Sequence, residues 1–211
     1  NGLIAISLEE GDALTWVRSS SEGDSVLIGS SRGMTIHFRL DMNELRPLGR
    51  TARGVKSMNL RDGDQLVSMD VLTSELVEQL STLNENDINA NDDLEDNLPE
   101  GPWVLVVSSF GLGKRVPVTQ FRLQKRAGMG LKAIKFRINN DVLVGLKVLG
   151  KGEEILLVTE KGVIVRTSAD KISQQSRAAT GVKLQKLDQG DHLAEVVLVP
   201  HEQIDDENIQ I

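Results

Sequence analysis

The stretch RTARGVKSMNLRDGDQL, residues 50–66, decides the fold, because its second half is one of four versions of a single phrase. Working outward, GLIAISLEEGDAL begins at Gly2, GVKSMNLRDGDQL at Gly54, GLKAIKFRINNDVL at Gly130 and GVKLQKLDQGDHL at Gly181. The third is one residue longer and has Asn140-Asp141 where the others have Gly-Asp. A second phrase alternates with the first: VLIGSSRGMTIHF from Val26, VLVVSSFGLGKRV from Val104 and ILLVTEKGVIVRT from Ile155. Ahead of three copies stands RTARG, RAGMG or RAATG, which sets Arg50, Arg126 and Arg177 each four residues before a repeat glycine.

Gly2 to Gly54 is 52 residues and Gly130 to Gly181 is 51, whereas Gly54 to Gly130 is 76. The middle interval has therefore gained roughly 25 residues, and the underlying period of about 50 suits one four-stranded blade of a propeller-like fold, provided the units are strands. They read as strands: SVLIGS, VLVV, EILLV and VIVRT are short apolar, β-branched runs bounded by turn residues, without the i, i+3, i+4 spacing of a surface helix. SSRG, SSFG and TEKG each end in the glycine that a hairpin loop with a left-handed last residue requires. EEGD, RDGD and DQGD supply a second tight turn. The expectation is an all-β, propeller-like chain of four-stranded blades, about four of them in residues 1–211, forming one domain.

Composition bounds the rest. With 39% hydrophobic residues the chain can fill a core, and with no cysteine it can hold neither a disulfide nor a thiolate metal site, which fits a reducing cytoplasm. No apolar run approaches the roughly 18 residues of a membrane span, and no signal peptide opens the chain. It begins at Asn1 in mid-repeat, so the expectation is a piece of a longer polypeptide.

The formal net charge of -7 is unevenly spread. Residues 73–100 hold nine acids and no Lys or Arg, and residues 200–211 hold four more acids. With those set aside, 18 of the 31 acids remain against all 24 Lys and Arg, so the repeats carry about +6. The 73–100 segment falls where the long repeat has its extra residues, and its one-sign charge predicts a disordered acidic insertion. It is either an ornamental surface loop or an electrostatic competitor of an anionic ligand.

The cations recur at equivalent places. Arg32 and Lys161 precede the hairpin glycine in two copies, while the third has Phe110 there and Lys114-Arg115 just beyond. Arg50, Arg126 and Arg177 lie between units, with Arg46, Arg53, Lys56, Lys125, Lys132 and Lys183 close by in sequence. If each unit is a blade, these loops share one circumference and form a periodic band suited to a curved polyanion. The alternative is ordinary solubilising charge.

GLIAISLEEGDAL, RPLGRTARGVKSMNLRDGDQL and FGLGKRVPVTQFRLQKRAGMGLKAIKF resemble the C-terminal domain of the DNA gyrase A subunit, over essentially the whole chain outside 73–100. The resemblance implies a β-pinwheel, in which propeller-like blades exchange strands and a basic outer rim wraps duplex DNA. It implies as partners the remainder of gyrase A and the gyrase B subunit, in an ATP-driven, negatively supercoiling type IIA topoisomerase of the cytoplasm and nucleoid. It places no cofactor in this chain and no membrane contact. The family's QRRGGKG box is absent, and the expectation is that upstream blades, box included, were left out or lost.

Catalytic readings fit poorly. Type II topoisomerases cleave DNA with a tyrosine, and this chain has none. His37, His192 and His201 lack ligand spacing, the recurring Asp12, Asp64 and Asp191 read as turn residues before calcium ligands, and no Walker A pattern occurs. Three binding readings remain: the DNA-wrapping module, the equivalent domain of topoisomerase IV, and a propeller-type protein-interaction scaffold. The aromatic content of 3% is too low for base stacking on single strands and unremarkable for contacts to duplex phosphates.

Overall fold

A computed structural model describes residues 2–78 and 101–199. Their strands are β1 (Ser25–Ser30), β2 (Met34–Arg39), β3 (Leu66–Leu72), β4 (Trp103–Ser108), β5 (Leu112–Pro117), β6 (Leu131–Lys132), β7 (Leu143–Leu149), β8 (Glu154–Thr159), β9 (Ile164–Ser168), β10 (Val182–Lys183) and β11 (Leu193–Val199). They form three antiparallel sheets, in the orders β3-β1-β2-β6, β10-β5-β4-β7 and β11-β8-β9.

Each second phrase is the central hairpin of a sheet. Gly33, Gly111 and Gly162 close these hairpins at φ of 75, 78 and 84°, which an L side chain rarely adopts. The strand after the next first-phrase turn pairs along one side of the hairpin, and the opening residues of the first phrase after that pair along the other. Thus β1 and β2 receive β3 and, from about a hundred residues downstream in sequence, β6. Blades exchange strands, as the resemblance implies.

Inner strands β3, β7 and β11 pack in series. Alternation along β1 and β4 sends Leu27 toward Val104 and Val106 of the second sheet, and Leu105 and Val107 toward Ile155 and Leu157 of the third. Two glycines set the closeness of this packing: a Cβ on Gly29 would lie 2.4 Å from Leu146 Cδ1, and one on Gly145 would lie 2.1 Å from Val196 Cγ1.

Two expectations are corrected. The described residues build three sheets, the last three-stranded, where about four four-stranded blades were expected. Residues 2–20, with the first copy of the phrase, form no strand, because that phrase becomes strand only by pairing with a hairpin, and no described hairpin reaches it. The acidic insertion also starts later than residue 73. Residues 74–78 are helical, the Asp24 carboxylate accepts the Ser74 N–H at 2.8 Å, and Val77 joins the buried cluster with Leu72 and Leu27. An apolar residue that completes a core belongs to the fold even inside an acidic run. The remainder of the insertion, 79–100, and the tail, 200–211, lie outside the described residues.

Candidate nucleic-acid interface on the outer strands

The turn aspartates are structural staples. Asp64 accepts the Ser30 and Ser31 hydroxyls at 2.7 and 2.8 Å and the Arg32 N–H at 3.0 Å. Asp141 repeats this with Ser108, Ser109 and the Phe110 N–H, and Asp191 with Thr159 and the Lys161 N–H. Burial alone would raise the Asp64 carboxyl, but hydrogen bonds from Ser30, Ser31, Arg32 and Gln65 outweigh it and hold it below the usual carboxylate value. Among the described residues no group of three or more His, Cys, Asp or Glu is disposed to hold a metal.

Each staple fixes a hairpin tip against the neighbouring turn, and the tip cations follow it. Arg32 donates to the Asp62 carbonyl at 2.7 Å and Lys161 to the equivalent Gln189 carbonyl at 2.8 Å. In the middle copy Phe110 meets the His192 ring edge-on at 5.0 Å instead.

The loops between units carry the densest charge. The Arg126 N–H is held by the Glu44 carboxylate, its Nε donates to the Glu44 carbonyl at 2.7 Å, and its Nη1 donates to the Lys56 carbonyl. One period on, the Arg177 N–H is held by Gln120 Oε1 at 2.7 Å and its Nη1 donates to the Lys132 carbonyl. Lys132 lies on β6 opposite Met34, and Lys183 on β10 opposite Leu112, the outermost strands of two successive sheets. A braced arginine thus sits against the backbone of an exposed lysine twice over, at Lys56 and at Lys132. Lys56, Lys132 and Lys183 are exposed, as are Arg32, Arg46, Arg50, Arg53, Lys125 and Lys161. Arg50 makes no equivalent brace among the described residues, and Arg53 forms a solvent-exposed 2.8 Å pair with Glu9.

Two members of the expected band are not free surface cations. Lys114 has no solvent exposure, and its Nζ donates to the carbonyls of Ser176, Arg177 and Ala179 at 2.8, 2.6 and 2.7 Å. Burial, and then the charge of Arg177, pull its pKa down to about 7. Arg115 lies over the Trp103 ring at 4.4 Å and spends its guanidinium on Ile172 and Asp170. Both face the next unit because the hairpin strand that carries them lies beside it. Arg122, in contrast, is exposed, and its charge, after burial, helps hold Arg177 below the usual guanidinium value. It was findable, since it stands four residues before Arg126 as Arg46 does before Arg50.

Comparison with known proteins follows the same boundaries. A model described as the DNA gyrase C-terminal domain, beta-propeller, matches residues 1–21, 24–73, 102–149 and 153–200, leaving out the insertion. The chain belongs to the DNA gyrase C-terminal domain family. The DNA gyrase A subunit of a Synechocystis species is 53% identical over 206 residues, 95% of this chain and 24% of that protein, so the chain spans about a quarter of this relative. A solved DNA gyrase A C-terminal domain matches at 27% identity with a TM-score of 0.68, covering 92% of this chain and 57% of that one. The C-terminal domain of a DNA topoisomerase IV shares the fold with a TM-score of 0.74 at 22% identity, covering 92% of this chain and 52% of that one. Among the described residues no helix is long and apolar enough to cross a membrane.

Proposed function

We propose that the outer strands and their loops form a sequence-indifferent surface for duplex DNA, which the chain bends or wraps as the C-terminal domain of gyrase A. Its partners are then the rest of gyrase A and the gyrase B subunit, in a holoenzyme that uses ATP to supercoil DNA negatively at the nucleoid. This chain contributes geometry and not strand cleavage: it contains no tyrosine to attack DNA.

The observation that supports this reading is the repeated pairing of a braced arginine with the carbonyl of an exposed lysine, Arg126 with Lys56 and Arg177 with Lys132. Cations spaced by one sheet along a rim neutralise phosphates on one side of a duplex and draw it around that side. Arg46, Arg50, Arg53, Lys125, Lys183, Arg32 and Lys161 extend the surface. Such contacts go to phosphates, which position DNA but carry no sequence information. Smooth bending by roughly 40–90° over roughly 20–30 base pairs costs on the order of 1–6 kcal/mol, within reach of several charge-assisted contacts.

The test is a salt titration of binding to unrelated duplexes, with end-to-end energy transfer on a short labelled duplex. Log affinity should fall linearly with log salt, equally for all sequences, and the duplex ends should approach. Replacing Arg50, Arg126 and Arg177 together with Ala should weaken every duplex alike. A protein scaffold would show little binding at any salt. A strong preference for one sequence, or a duplex that stays straight, would overturn the reading.

A further inference from the structure

The two braced loops are built from different chemistry beneath. At the same place in the hairpin, three residues past its glycine, the first sheet has Ile36 and the second has Lys114. Ile36 is fully buried, and its Cδ1 lies 3.7 Å from where a Cβ on Gly128, in the Arg126 loop, would stand. An apolar side chain is therefore sufficient to floor one of these loops.

Placing an ammonium there instead is costly unless every N–H finds an acceptor. An ammonium has three donors and no acceptor, and all three of Lys114 are taken, by the carbonyls of Ser176, Arg177 and Ala179. The loop is drawn down onto a single atom. The charge above it differs as well: Glu44, which backs Arg126 with its carboxylate, is replaced by the neutral Gln120 behind Arg177. Arg122, Arg177 and Lys114 therefore gather beside the Lys132 backbone with no carboxylate in the bonds that brace Arg177.

We propose that Lys114 is an internal positioning residue for DNA binding: shielded from solvent, it clamps the 176–179 loop and sets the Arg177 guanidinium beside Lys132 and Arg122 as the strongest phosphate anchor of the rim. The inference rests on the DNA-binding reading above and adds that one anchor is organised from inside.

The experiment compares Lys114→Ile, which copies the first sheet, with Arg177→Ala and the double variant, by fluorescence anisotropy of the chain on a labelled duplex across a salt series. Arg177→Ala should lose roughly tenfold in affinity at low salt, the value of one charge-assisted contact. It should also flatten the log–log salt slope by about 0.9, one phosphate's worth. Lys114→Ile should do the same although Lys114 cannot touch DNA, and the double variant should lose no more than either single one. Amide exchange at Ala179, whose N–H bonds the Ser176 carbonyl, should quicken in Lys114→Ile while the melting temperature stays near that of the parent.

Lys114→Met repeats the test if the isoleucine variant fails to melt cooperatively. If neither folds, Lys114 is a requirement of the fold and the assignment is overturned. Additive losses in the double variant would make Lys114 a contact in its own right, also against the proposal. If Arg177→Ala weakens binding and Lys114→Ile does not, only the positioning role fails. If Arg177→Ala changes neither affinity nor slope, the loop does not face DNA, and the inference falls with that part of the proposed function.

Discussion

Removing the Asp141 carboxylate should cost this domain more stability than removing that of Asp64 or Asp12. Asp141 is 6% exposed and accepts from Ser108 Oγ at 2.8 Å, Ser109 Oγ at 2.9 Å and the Phe110 N–H at 3.1 Å. Ser108 has no exposure, so in Asp141→Ala its hydroxyl is left without that acceptor and without water. Hydrogen bonds to a charged group are each worth about 1.5–3 kcal/mol, and relieving a buried charge returns part of the loss, so about 3–5 kcal/mol is expected. At roughly 2–4 °C per kcal/mol for a domain of this size, the melting temperature should fall by roughly 6–20 °C. Asp141→Asn keeps one acceptor and should lose about half as much. Asp64→Ala, where the turn is partly open to water, should lose less than Asp141→Ala, and Asp12→Ala, whose exposed carboxylate takes only the Ala13 N–H, should change nothing measurable. The assay is thermal unfolding followed by circular dichroism, with and without calcium. Equal losses at Asp12 and Asp141 would refute the staple reasoning, and a calcium-dependent rise would show that the carboxylates bind metal.

Gly145→Ala should destabilise by about 1–3 kcal/mol through overpacking against Val196, whereas Gly150→Ala, with nothing within 4 Å of the new Cβ, should be neutral or slightly stabilising in the same melts. His37 is buried, with Nδ1 donating to the Phe121 carbonyl and Nε2 accepting from Ser25, and burial, with help from Arg39, lowers its pKa below 6.5. The unfolded chain then takes up a proton that the folded chain refuses, so this contribution is present above pH 6.5 and is lost as pH falls from there through the folded value. His37→Gln should flatten that part of the stability–pH profile, and an unchanged profile would refute the assignment. Deleting residues 79–98, which carry six of the nine acids of the insertion, should leave cooperative melting intact. It should also tighten duplex binding several-fold at low salt, a gain that fades as salt screens it. Unchanged affinity would return the segment to ornament.

Much of this architecture was legible because its signals are local. Asn140, in place of a turn glycine, takes φ 67° beside φ 70° at Gly63, so the substitution in the third phrase is the kind that backbone geometry tolerates. The exchange of strands was reached through resemblance alone, since β6 and β10 are two residues each and too short to leave a periodicity. The arginine loops were visible as a spacing, but which cations face outward was not. Lys114 and Arg115 sit in a run that looks charged and exposed, and only the alignment of Lys114 with Ile36 hints that its place is interior. Val77 was hidden for the opposite reason, as a core residue embedded in an acidic run.

Strand exchange also governs how such a rim can change length. The first sheet is completed by β6 and the second by β10, and each of these short strands is supplied by the unit after next in the run of phrases. The hairpin edge that receives them asks only for a dipeptide following a repeat glycine, as in Gly130-Leu131-Lys132 and Gly181-Val182-Lys183. Duplicating or excising one whole period of about 51 residues would leave each edge now filled by β6 or β10 matched to an equivalent dipeptide. A cut through a hairpin or through one of the short outer strands would orphan its partner. The arc available to a ligand therefore grows or shrinks in whole steps, each adding or removing one loop with its arginine, so contour length and anchoring charge are inherited together.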